Sequence, residues 1–278
     1  MNHDRADLRL NRRALLVLAL AAMVSPAAAQ QTSGDPDAVY DELLKRYVVV
    51  GKDGVNRVHY GRWQANAADL KALDDYIIHL SARRPSTMAR NERYTYWANL
   101  YNAVTLKVVL DRYPVASIRD IRSDSWFDLK AWTGPWRQPR VTVEGKRLSL
   151  DNIEHDTMRP TFKDPRVHYI VNCASYGCPN LMNRVWRAKT LEADLEAGAR
   201  SFVNHSRGVA VLPSGDLRIS SIYKWFIEDF GGTDAGILAH LRKYAAPNLA
   251  RHLATSPLIV EYDYDWTLNN IAAARASN

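Results

Sequence analysis

Between Asn91 and Arg112 the chain carries apolar side chains around nearly the whole circumference of a helix. Tyr94, Trp97, Tyr101, Val104 and Val108 form one stripe, and Leu100, Ala103, Leu106 and Leu110 cover most of the remainder. A helix of that kind has no face to give to water, so the rest of the chain must wrap it on all sides. Thr95, Asn99 and Asn102 share a stripe of the same buried element. A buried amide left unpaired costs roughly 1–3 kcal/mol, so these side chains must either tie the helix to neighbouring backbone or contribute to a site. Pro114 stops the helix.

The shell around this helix reads as mixed α+β in one domain over residues 37–270. Helical spacing runs from Ala38 to Tyr47 and through Leu70, Leu73, Ile77 and Leu80, with a short strand at Val55–Tyr60 between them. Val141–Val143 and Arg147–Leu150 flank the turn Glu144-Gly145 as a hairpin, and a second hairpin surrounds Pro213-Ser214-Gly215. Asp151 is placed to cap a helix from Asn152 to Arg159, with Pro160 just beyond it. Arg166–Cys173 alternates in character and reads as a central strand of a small, mainly antiparallel sheet. Helices are expected at Thr190–His205, at Ile222–Phe230 with Ser221 as its cap, and at Gly236–Tyr244, followed by a last strand at Leu258–Tyr264. Residues 271–278 read as a frayed tail.

The first residues have a different grammar. Arg5, Arg9, Arg12 and Arg13 precede an apolar run from Ala14 to Val24 and the small-residue stretch Ala27-Ala28-Ala29, the pattern of a signal peptide cleaved near Ala29. Arg12-Arg13 before Ala14-Leu15-Leu16 is also compatible with a twin-arginine signal. The apolar run is far short of the roughly 20 residues a membrane span needs, so no permanent span is expected. The expected location is the periplasm or the exterior, with residues 30–36 as a loose leader. Without residues 1–29 the balance is 33 basic to 28 acidic side chains, and no basic run suggests a nucleic-acid partner.

Several blocks resemble the domain of unknown function 547 family: Tyr96-Trp97-Ala98-Asn99-Leu100-Tyr101-Asn102, Leu150-Asp151-Asn152-Ile153-Glu154-His155 with Arg159, and Asp164-Pro165-Arg166-Val167-His168 running into Asn172-Cys173-Ala174-Ser175-Tyr176-Gly177-Cys178-Pro179. Ser221-Ile222-Tyr223-Lys224-Trp225-Phe226 and Asp229-Phe230-Gly231 continue it, so the motif core spans residues 90–245. The resemblance implies a fold and locates motifs, and it brings no activity. The layout of a buried helix ahead of a cysteine- and histidine-bearing segment is similar to papain-like and transglutaminase-like folds. Those enzymes place the cysteine at the helix start, where this chain has Trp97, Asn99 and Asn102.

Cys173 and Cys178 are the only cysteines. In an oxidising compartment they read as a structural disulfide closing a six-residue loop, worth about 2 kcal/mol in chain-entropy terms. The competing reading is a nucleophile, which needs a group that stabilises the thiolate. Cys173, at a strand end, is the better candidate, while Cys178 before Pro179 is placed to see a helix N-terminus. His155, with Asp151, Glu154 and Arg159 nearby on its helix, is the expected base; His168 is the expected buried hydrogen-bonder. Asn102 is a candidate near an oxyanion, and Asn99 an alternative third member of a Cys-His-Asn set.

No His-Glu-x-x-His, paired Cys-x-x-Cys, glycine-rich phosphate loop or Gly-x-Ser-x-Gly elbow is present, so neither metal nor cofactor is expected. Two readings stand. One is a thiol-dependent hydrolase or acyl transferase acting on peptide or cell-envelope material. The other is a non-catalytic envelope module stapled by Cys173–Cys178, binding a partner or glycan through Trp126, Trp132 and Trp136.

Overall fold

Every residue from Tyr94 to Leu106 is buried, and this stretch lies in α4 (Arg90–Leu110), the helix around which the core is built. The computed structural model describes residues 34–121 and 134–271. Residues 1–33, Trp126, Trp132 and residues 272–278 lie outside the described residues, and the end of the expected loose leader, Asp35-Pro36, starts α1 instead. No described helix is long and apolar enough to cross a membrane.

One side of α4 is covered by α3 (Ala67–Ser81), and α1 (Pro36–Tyr47) packs against α3 in turn. Pro36 occupies the first turn of α1, and the Asp35 carboxylate accepts from the Asp37 N–H; the Asn66 side chain caps α3 at Asp69. Tyr40 and Tyr76 stack across the α1–α3 contact with ring centres 4.2 Å apart. Between these helices lie the hairpin β1 (Val48–Val50) and β2 (Asn56–Val58) and the short α2 (Tyr60–Gln64).

The mixed α+β class holds, with small and mostly antiparallel sheets. β3 (Val141–Val143) pairs with β4 (Lys146–Leu148), and β5 (Val209–Val211) with β6 (Leu217–Ser220). β7 (Ile259–Asp263) then adds to β6 in parallel. None of these sheets is built around Arg166–Cys173. That segment forms one helical turn, α6 (Val167–Ile170), and then extends. Its alternation of side chains signalled a strand, but Asp164 turns the chain by accepting from the Arg166 N–H at 2.9 Å. The Asn102 amide supplies what a neighbouring strand would have given: it donates to the Ile170 carbonyl and accepts from the Asn172 N–H, both at 2.9 Å.

The helix expected at Asn152–Arg159 is longer and wound differently. Residues 150–162 are continuously helical, with π turns over Asn152–Met158 running into α5 (Arg159–Phe162). Pro160 lies inside it, because the wider π turn has already shifted the bonding pattern: the Arg159 N–H reaches back five residues to the Glu154 carbonyl. Asp151 does not cap this helix; the Ser149 hydroxyl accepts from the Asn152 N–H. Ser220, not Ser221, likewise caps α8 (Ser221–Trp225). A 3₁₀ turn, Ile227–Phe230, follows and ends at Gly231, whose φ of 95° is open to glycine. α7 (Leu191–Val203), α9 (Asp234–Tyr244) and α10 (Pro247–Leu253) complete the shell. They enclose a second apolar cluster around Phe202, Tyr223 and Leu241.

Candidate active site

The loop that carries both cysteines is fixed by its backbone. After α6 the chain extends to Cys173 and reverses at Ala174, which takes a positive φ of 62°. The Asn172 side chain ties the two ends together, donating to the Pro179 carbonyl at 2.7 Å and accepting from the Ala174 N–H at 2.9 Å. The loop docks on the stretch beyond β7: Tyr176 donates to the Thr267 carbonyl and Gly177 to the Asp265 carbonyl. A side chain at Gly177 would come within 2.9 Å of the Asp265 backbone, so the docking requires glycine. This contact brings Tyr264 onto the sulfur of Cys173.

Cys173 Sγ is 2.8 Å from Cys178 Sγ, 2.9 Å from the Tyr264 hydroxyl and 3.1 Å from the Ser175 hydroxyl. The Cys173 N–H also donates to Cys178 Sγ. Both cysteines are free, so the expected disulfide is not formed. Nor does Cys178 face a helix N-terminus, since no helix begins at Pro179. Burial pushes the Cys173 thiol up, but hydrogen bonds from Cys178, Ser175 and Tyr264 outweigh it and bring the pKa down to about 7. Burial and the neighbouring Cys173 sulfur push Cys178 well up. Burial and the two sulfurs do the same to Tyr264, which keeps its proton as a donor.

Cys173 opens into a cavity of about 170 Å³. Asp151, Glu154, His155, His168 and Cys178 line the same cavity, so the structure brings these six sequence-derived candidates together. The π turns place His155 about a third exposed, with Nε2 3.9 Å from Asp151 Oδ1 and Nδ1 4.0 Å from Glu154 Oε1. The buried Nδ1 finds no hydrogen-bond partner among the described residues. π turns recur at functional sites, and here one sets the partly exposed His155 at a cavity wall.

Behind His155 lies a buried charge network. His168 Nε2 is 2.7 Å from Asp229 Oδ2 and its Nδ1 is 3.6 Å from Glu154 Oε1. Arg159 donates to the same Asp229 oxygen at 2.6 Å. Burial alone would lower His168, but the two carboxylates more than compensate and its pKa is raised. Burial would raise Asp229 and Glu154; the hydrogen bonds of His168 and Arg159 bring Asp229 down to about 2, and those of His168 and Tyr101, with the His155 charge, hold Glu154 below the usual range. His168 stacks on Phe226 with ring centres 4.3 Å apart. With both nitrogens facing carboxylates it is a buried hydrogen-bonder.

Asn102, Asn99, Trp97 and Arg159 do not line the cavity. Asn102 is spent on the backbone of residues 170 and 172, which corrects its placement near an oxyanion. Asn99 pairs in the same way with both backbone groups of Trp186, at 2.9 and 3.0 Å. Trp97 packs edge-on against Tyr96 in the core. Tyr264, Ser175, Asp229 and Tyr101 went unassigned. Tyr264 belongs to the series Tyr262, Tyr264, Trp266, whose two-residue period marks one face of an extended segment. The other three stand inside blocks already quoted.

The family comparison covers the loop, the π-wound helix and α4. Residues 85–203 match the family described as Protein of unknown function, DUF547. The match supports the resemblance carried by the motifs from Tyr96 to Pro179. It stops short of Trp225, Phe226, Asp229 and Tyr264, so the DUF547 segment supplies Cys173, His155 and Glu154, and later residues close the cavity around them. No curated protein and no solved structure matches the chain. No group of three or more histidine, cysteine or acidic side chains suited to a metal occurs among the described residues.

Proposed function

We propose that this is an exported thiol-dependent acyl-transfer enzyme, a hydrolase or acyl transferase acting on peptide or cell-envelope material. The observation that carries this reading is Cys173: a sulfur with its pKa near neutrality, facing a cavity that His155 also lines. The chemistry follows from those groups. The Cys173 thiolate adds to a carbonyl carbon, and the oxyanion accepts a hydrogen bond from the Tyr264 phenol. The intermediate collapses to a thioester as the amine or alcohol leaves, taking a proton from His155. Neutral His155 then removes a proton from water or an acceptor amine, which attacks the thioester; Cys173 leaves as thiolate and His155 keeps the proton for the next turn. Asp151 and Glu154 flank the imidazole, 3.9 and 4.0 Å from its two nitrogens.

The test uses peptide thioesters and p-nitrophenyl esters, with turnover and the mass of the acylated protein as readouts. Wild-type protein is expected to carry its acyl group on Cys173. Cys173→Ser should lose at least about a thousandfold in turnover, and His155→Ala on the order of a hundredfold. Turnover that survives Cys173→Ser, or an acyl group found on Cys178, refutes the assignment.

A further inference from the structure

On the acyl-transfer reading just given, we propose that the aromatic wall of the cavity holds a positively charged side chain of the substrate, the ammonium or guanidinium of a lysine- or arginine-bearing peptide, beside the bond that Cys173 attacks.

The wall is a continuous set of rings. Trp266 touches Tyr264, Trp225 and Trp136 with ring centres 4.6, 5.6 and 5.7 Å apart, and Trp225 meets Tyr264 at 4.8 Å. Trp225 is 47 % exposed, so the ring set runs from the cavity out to solvent. The faces of such rings are negative and attract cations. The chain already uses them in this way at two points: Arg119 lies 5.1 Å from the centre of Trp266, and Arg159 4.9 Å from that of Phe226. Neither arginine lines the cavity.

Charge points to the same occupant. Among the described residues, Asp151 and Glu154 line the cavity and no lysine or arginine does. Glu154 is answered by His168, but the partner of Asp151 is Arg137, which is 65 % exposed. Water screens that surface pair, so it cancels little of the Asp151 charge inside the cavity. A volume of about 170 Å³ is well below the roughly 300–1,000 Å³ of a site that encloses a whole ligand. The cavity therefore takes one side chain, with the rest of the peptide outside.

Binding is measured by tryptophan fluorescence on Cys173→Ser protein, using N-acetyl-lysine methylamide and N-acetyl-norleucine methylamide, which share an alkyl stem and differ at the ammonium. The lysine compound is expected to bind about tenfold more tightly, ~1.4 kcal/mol. That preference should fall towards parity when the exposed Trp225→Leu is added. Equal or tighter binding of the norleucine compound, or tighter binding of an N-acetylglucosamine trimer, overturns the proposal. The corresponding lysyl and norleucyl thioesters, offered to wild-type protein, separate the two ideas. If neither acylates Cys173, the acyl-transfer reading fails while the binding preference still decides the cation site.

Discussion

His168 is the side chain on which the electrostatics of the site turn. It is 3 % exposed and sits between Glu154 and Asp229, and two carboxylates share one buried imidazolium and one guanidinium, that of Arg159. A group whose pKa rises on folding contributes stability fully below its unfolded value and loses it as pH climbs through the folded one; a depressed carboxylate does the reverse. With His168 raised and Asp229 depressed to about 2, the network is fully formed between about pH 4 and 6.5. Below that window it weakens as Asp229 and Glu154 take up protons, and above it as His168 loses its own. His168→Gln is therefore expected to lower the melting temperature most between about pH 4 and 6.5 and progressively less towards alkaline pH. Thermal unfolding of both proteins across that range checks it; a pH-independent difference would mean that the ring acts by packing on Phe226 alone.

The elements show the same economy of polar groups. α4 is buried all round, and its two amides act as extensions of the backbone: Asn102 grips the end of α6 and Asn99 grips Trp186. Asn102→Ala leaves a carbonyl and an N–H unpaired in the core, and is expected to cost about 2 kcal/mol, measured by urea unfolding. A loss within experimental error would show that water replaces the amide. The burial of α4 was readable from the chain because its apolar circumference leaves no alternative. That its asparagines tie helix to backbone was one of two open readings, since sequence does not say where a buried amide points. The alternating side chains of α6 match a strand, whereas the deciding bonds come from Asp164 and Asn102, one close in sequence and one far away. The π winding was hidden by Pro160, which sequence rules take as a boundary and which the wider turn absorbs.

Across the full chain, the cavity is assembled from segments more than 150 residues apart, from Tyr101 on α4 to Trp266 beyond β7. Cysteine, histidine and acidic candidates were visible as motif residues, but the phenol that holds the Cys173 sulfur was not, because only the docking of residues 176 and 177 on 265 and 267 brings Tyr264 there. The DUF547 match ends at residue 203, so the aromatic wall is contributed by the part of the chain after it. Nucleophilic chemistry in this cavity depends on Cys173 being about half ionised near neutral pH while Cys178 stays protonated. The rate of iodoacetamide alkylation at each cysteine, resolved by peptide mass spectrometry over a pH series, measures that directly. Cys173 is expected to react first with a midpoint at about 7, and to move upward in Tyr264→Phe. A Cys173 midpoint at or above the roughly 8.5 of a free thiol, or faster labelling of Cys178, would contradict it.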